Sequence, residues 1–153
     1  MNAYERLLPS SDENIIVIEK QFKSKAKGLC KGNKIGISAD IDTSTEKACV
    51  LAEELGHHHT TVGNIIDLTD VQNRKQERQA RLWAYNKLIG LHGIVKAFEH
   101  GCRDCHEIAE YLEVTEEFLQ EAIECYRNKY GVYKTLDNYI IYFIPNLTVA
   151  ELF

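Results

Sequence analysis

Apolar positions recur at helical spacing in two stretches of the first ninety residues. Ala48, Leu51, Ala52 and Leu55 fall on one helical face, and Thr43 followed by Glu46 forms a capping box ahead of them. Glu77, Ala80, Ala84 and Leu88 make a second stripe, on a helix predicted over about 70–88 with Thr69 and Gln72 as its capping box. Thr60 to Asn64 breaks the pattern between the two, with Gly63 as the turn residue. Earlier in the chain, Tyr4 to Leu8 reads as a short helix ended by Pro9, because the residue before a proline avoids the helical region. The β-branched run Ile15-Ile16-Val17-Ile18 reads as a buried strand. Gly28 to Lys31 and Lys34 to Ser38 flank Gly32-Asn33, a good two-residue hairpin turn, and predict a small antiparallel sheet.

From Gly90 the character changes. Leu91 to His100 reads as a helix stopped by Gly101, Asp104 to Leu112 as a second, and Thr115 to Tyr130 as a third stopped by Gly131. Glu113-Val114 is the tight turn between the last two, and Tyr133-Lys134 can pair with Tyr139 to Phe143 around Asp137-Asn138. Three helices and a hairpin outline a winged helix-turn-helix. The expected fold class is α+β, with a sheet-and-helix part over 1–90 and a helical module with a terminal hairpin over 91–153.

The densest group of potential metal ligands lies at the end of the first long helix, in Leu51-Ala52-Glu53-Glu54-Leu55-Gly56-His57-His58-His59. Glu53 and His57 are four apart and so share a helical face, with Glu54 beside it. Zinc-protease helices use this logic: two ligands at i and i+4 hold the metal, and a glutamate at i+1 handles the proton. A competing register pairs Glu54 with His58, but Leu55 would then occupy the proton-handling place. The bland alternative is a solvated helix end rich in polar residues. Gly56 costs that helix about 1 kcal/mol relative to alanine, and a side chain there would crowd the sheet or the site. Glu77 heads its apolar stripe, so its carboxylate needs a partner, which a metal or one of the nearby arginines would supply.

Glu53-Glu54-Leu55-Gly56-His57 resembles the active-site helix of the ImmA/IrrE metallopeptidases, with Glu53 where that family usually has histidine. Twenty residues on, Glu77-Arg78-Gln79-Ala80-Arg81-Leu82-Trp83-Ala84 is similar to the family's second signature. The resemblance covers roughly residues 28–90. It implies a zincin-like catalytic part in which Glu53, His57 and Glu77 are metal ligands and Glu54 is the catalytic base. It further implies a divalent ion, zinc in the first place with the harder manganese opened by the extra oxygen donor at Glu53, and a protein substrate: a helix-turn-helix repressor of a phage or mobile element. The alternative is a catalytically weak or inactive member that binds the repressor as an antirepressor.

Composition narrows the rest. With 44% hydrophobic and 27% charged residues, the chain of 153 residues reads as an ordinary soluble domain, not a disordered one. Its apolar runs are too short to span a bilayer, and Met1 to Arg6 lacks the pattern of a secretory signal, so neither membrane nor export is expected. Five cysteines, an odd number, fit reduced thiols in a cytoplasm. Cys102-Arg103-Asp104-Cys105, flanked by His100 and His106, is a single CxxC and reads as apolar packing before it reads as a structural zinc site. Residues 1–90 hold 13 Lys and Arg against 12 Asp and Glu, whereas 91–153 hold 5 against 11. The third helix of the module carries Glu116, Glu117, Glu121 and Glu124, which a phosphate backbone would repel. No nucleic-acid partner is expected, and the module reads as a protein-binding or packing element. A DNA-binding regulator is the rival that this charge speaks against.

Overall fold

The computed structural model describes residues 1–8, 14–60 and 70–153. The chain divides into two compact units, Met1–Ala84 and Tyr85–Phe153. The described residues are α+β, as the periodicities predict.

In the first unit a short helix, α1 (Ala3–Leu7), is capped by Asn2, whose side chain accepts from the Glu5 amide at 2.8 Å. Three strands follow, β1 (Ile16–Lys20), β2 (Gly28–Lys31) and β3 (Lys34–Ser38), in the order β1-β3-β2. The Gly32-Asn33 turn forms as expected, with Gly32 at a φ of +61° that glycine takes without cost. Lys31 pairs with Lys34 across it, so β2 and β3 are antiparallel. β1 runs parallel to β3, Val17 opposite Ile35, so the sheet is mixed and not purely antiparallel. The long connection through Phe22 and Lys27 gives the chain room to re-enter in that direction.

One face of this sheet packs on α2 (Ser44–Thr60). Ile35 and Ile37 of β3 and Ala48, Leu51 and Ala52 of α2 are fully buried, and Leu55 nearly so. Thr43 caps α2 by accepting from the Glu46 amide at 3.1 Å, and the Glu46 carboxylate pairs with Lys27. The buried strand expected at Ile15 to Ile18 needs correction. Val17 lies on the face that Ile35 shares, but Ile16 and Ile18 are 48% and 44% exposed. β1 is an edge strand with one covered face, and its alternate side chains stand on the other.

α3 (Asp70–Leu88) has the predicted extent, and Ala80 and Ala84 of its stripe are fully buried. The capping box at Thr69-Gln72 and the turn at Gly63 lie outside the described residues.

The second unit contains α4 (Gly90–Glu99), α5 (Cys105–Leu112) and α6 (Glu116–Tyr130). Their ends follow local chemistry. Gly101 takes φ +105° beyond α4. Asp104 caps α5 through the Glu107 amide at 2.8 Å, and Thr115 caps α6 through the Phe118 amide at 3.1 Å. Glu113 supplies the left-handed turn between these two helices at φ +58°. Strands β4 (Tyr133–Leu136) and β5 (Tyr139–Tyr142) pair about Asp137 as expected. A third strand that the sequence did not announce, β6 (Thr148–Glu151), pairs antiparallel with β5. Tyr126, Phe143, Ile94, Leu119 and Ile141 are fully buried and form the core of this unit.

Candidate active site

α2 carries Glu53, Glu54 and His57 on its last turns because its opposite face is committed to the core. Ala48, Leu51, Ala52 and Leu55 must face β3 and α1, which leaves Glu53, Glu54 and His57 half-buried at the border of that face. Two glycines then set the distances around them. A Cβ at Gly28 of β2 would lie 2.9 Å from Cγ of Glu54 and 2.7 Å from Cγ1 of Val50. The strand therefore touches the helix where Glu54 stands, and only glycine fits. A Cβ at Gly56 would run into the Ala80 carbonyl oxygen and lie 3.0 Å from its carbon. The crowding anticipated at Gly56 is thus against the α3 backbone, not the sheet.

That contact puts Glu77, one turn before Ala80, beside His57. His57 Nε2 and Glu77 Oε2 are 3.3 Å apart. Glu77 Oε1 also lies 3.3 Å from Arg81 Nε, so of the two partners foreseen for this carboxylate, a metal or a nearby arginine, the arginine is within reach of it. The Glu77 side chain is 43% exposed, however, and does not belong to the buried face on which its stripe placed it. It lies two turns into α3, ahead of the fully buried Ala80 and Ala84.

Glu54 is a strongly perturbed carboxyl. Burial against the sheet, followed by the charges of Glu53 and Glu77, pushes it up to about 7. Cys30 on β2 is raised as well, by its own burial and by Glu54. Three carboxylates thus crowd one small region beside an imidazole. A positive charge placed there would relieve both the repulsion and the desolvation. Among the described residues, no three potential ligands converge closely enough to hold a metal as the side chains stand.

His58 and His59 are engaged elsewhere. His58 Nδ1 donates to the Gly32 carbonyl at 2.9 Å, tying the end of α2 to the hairpin turn. The His59 ring stacks on Trp83 with centroids 4.9 Å apart. Neither contact was readable from the sequence, since each joins residues 24 or 26 positions apart with no local signature. Gly28 was equally silent as a site residue: a glycine opening a hairpin strand has many ordinary reasons.

The other candidates are placed as follows. Cys102 is buried with its thiol 3.5 Å from the Glu107 carbonyl, Cys105 is half-buried, and all five cysteines are free thiols. Tyr126 is core, Trp83, Tyr130 and Tyr142 are half-buried, and Glu116, Glu117, Glu121 and Glu124 all lie on the exposed side of α6. No described helix is long and apolar enough to cross a membrane.

The sequence profile of Peptidase M78, described as the IrrE N-terminal-like domain, matches residues 11–124. No curated protein and no solved structure matches the chain.

Proposed function

The chain belongs to the Peptidase M78 family of IrrE N-terminal-like domains, and from that premise we propose that it is a metal-dependent endopeptidase acting in the cytoplasm. Glu53, His57 and Glu77 would hold the divalent ion, and Glu54 handles the proton. The observation that carries this reading is the 3.3 Å approach of His57 and Glu77, two candidate ligands from different helices, next to a crowded and protonatable Glu54. A zinc or manganese ion held by these groups would supply Lewis-acid chemistry toward water and the scissile carbonyl.

The protein's own groups do the rest. Glu54, backed by Gly28, is positioned to take a proton from water at a carboxylate oxygen and return it to the leaving amine. The β2 strand and Val50 keep water from the inner side of Glu54, since a single added Cβ would already overfill the space. The substrate is a protein, and the family resemblance points to a helix-turn-helix repressor of a phage or mobile element. Such a partner is basic on its DNA-reading face and suits the acidic surface of α6 electrostatically.

Glu54→Gln tests the reading. It preserves size but cannot accept the proton, so metal binding should persist while cleavage of the repressor falls by about a hundredfold to ten-thousandfold. Cleavage at nearly the original rate would remove Glu54 from the mechanism. A second reading has an observation in its favour: Glu53 stands where histidine is usual, and Glu77 is already balanced by Arg81. In that case the protein binds its repressor without cutting it, and wild type and Glu54→Gln would relieve repression equally well.

A further inference from the structure

The second unit contains a cavity of about 510 Å³ that the peptidase reading does not use. It lies between the start of α5, the exposed side of α6 and the Asn146-Leu147 segment, and its volume is within the range of small-molecule sites, roughly 300–1,000 Å³. Its wall is amphoteric. Arg103 and Arg127 stand there with Asp104 and Glu124, and Gln120 and Asn146 add neutral amides. A smaller chamber of about 100 Å³ adjoins it, sharing Arg103, Ile108 and Leu147, and is otherwise lined chiefly by Ile94, Phe98 and Val149.

Residues 91–153 contain only five Lys and Arg, and two of these line this one cavity. Their situations differ. Arg127 is neutralised by Glu124 at 2.7 Å and donates to the Phe143 carbonyl at 3.2 Å. Arg103 is held only by neutral groups. Its Nη1 donates to the carbonyls of Phe98 at 3.2 Å and Cys102 at 3.0 Å, and its guanidinium lies 4.6 Å from the centre of the Phe98 ring. No carboxylate of a described residue pairs with it. An arginine held by neutral contacts, with no direct ion pair to a described carboxylate and further N–H donors to offer, is preorganised for a planar anion. It also stands where the polar and the apolar chambers meet.

We propose that this cavity binds an apolar carboxylate, with the carboxylate on Arg103 and the hydrocarbon body in the chamber of Ile94, Phe98 and Val149. The wall sets the charge of the ligand. Asp104 and Glu124 on the same surface disfavour a dianion such as phosphate, whereas a monoanion can pair with the Arg103 guanidinium, which no described carboxylate contacts. A peptide ending in an aliphatic residue and a free medium-chain acid share this chemistry.

The test is titration of the full chain followed by amide-resolved NMR, with three probes: acetyl-leucine, acetyl-leucine amide and octanoate. Saturable shifts centred on Arg103, Ile108 and Leu147 are expected with the two acids, and binding at least tenfold weaker is expected with the amide. Arg103→Gln should lose about tenfold or more in affinity for the acids, as removal of a charged hydrogen-bond partner does. Should that variant not fold, Arg103→Lys, which keeps the charge but not the planar fork, is expected to bind more weakly than wild type. Tighter binding of acetyl-leucine supports a peptide terminus as the ligand, and tighter binding of octanoate supports a free apolar acid. Equal binding of acid and amide, undiminished binding by the Arg103 variants, or no saturation below about 10 mM would overturn the proposal.

Discussion

Gly56 offers a substitution for which two physical arguments predict opposite signs. In an isolated helix, Gly56→Ala gains about 1 kcal/mol from reduced backbone entropy and better propensity. In this fold the new Cβ would overlap the Ala80 carbonyl oxygen and sit 3.0 Å and 3.2 Å from the Ala80 carbonyl carbon and Cα. Carbon atoms pack at about 3.5–4.0 Å, so α3 must retreat by roughly 0.5–1 Å. The obstacle is backbone and no rotamer change relieves it, which places the overpacking cost toward the upper end of about 1–3 kcal/mol. Subtracting the propensity gain leaves a net loss of about 2 kcal/mol. For a chain of this size that lowers the thermal midpoint by about 4–8 °C. The assay is thermal unfolding of the metal-free full chain followed by circular dichroism. A retreat of α3 also draws Glu77 away from His57, so the same variant should bind zinc more weakly. An unchanged or raised midpoint would show that propensity wins and that α2 and α3 do not approach as closely as described.

Other substitutions probe separate parts of the account. Gly28→Ala pushes a Cβ into Val50 and Glu54, and a displacement of Glu54 approaching 1 Å should reduce cleavage by about a hundredfold; unchanged cleavage would detach β2 from the site. Tyr126→Phe removes the hydroxyl that donates to Asn86 at 2.9 Å and should cost about 1 kcal/mol, or about 2–4 °C in the thermal midpoint. A midpoint that does not move would mean that this bond contributes nothing net.

How much of this was legible in the sequence depends on the range of the interaction that decides it. Helix limits were readable because their causes are local: Thr43 before Glu46, Asp104 before Glu107, and Gly101 and Gly131 just beyond their helices. The Gly32-Asn33 hairpin was readable for the same reason. β1 was misjudged because a run of four β-branched residues looks alike whether one face or both are covered, and here Ile16 and Ile18 face outward. Its parallel pairing depends on how the chain returns after Lys20, which no residue in the run encodes. β6 was missed because Thr148 to Glu151 is only four residues long; it exists because β5 offers it an edge. At the site, Glu53, Glu54 and His57 were visible as a helical constellation. The pairing of His57 with Glu77, the wedge of Gly28 against Glu54 and the hydrogen bond from His58 to Gly32 are tertiary facts. The half-exposure of Glu77 also reverses an inference from periodicity, because a residue at the end of a stripe can leave the packed face by its side chain alone.

The central claim is that Glu53, His57 and Glu77 form one metal site, and calorimetric titration of zinc into chelator-treated full-length protein tests it most directly. Two carboxylates and one neutral imidazole neutralise a divalent ion, whereas the commoner set of two histidines and one glutamate leaves a positive charge and favours zinc over harder ions. Wild type should therefore bind a single equivalent. Glu53→Ala and Glu77→Ala should each weaken binding at least tenfold, and Glu53→His should tighten it. If Glu53→Ala binds zinc as tightly as wild type, Glu53 is not a ligand and the proposed site does not exist.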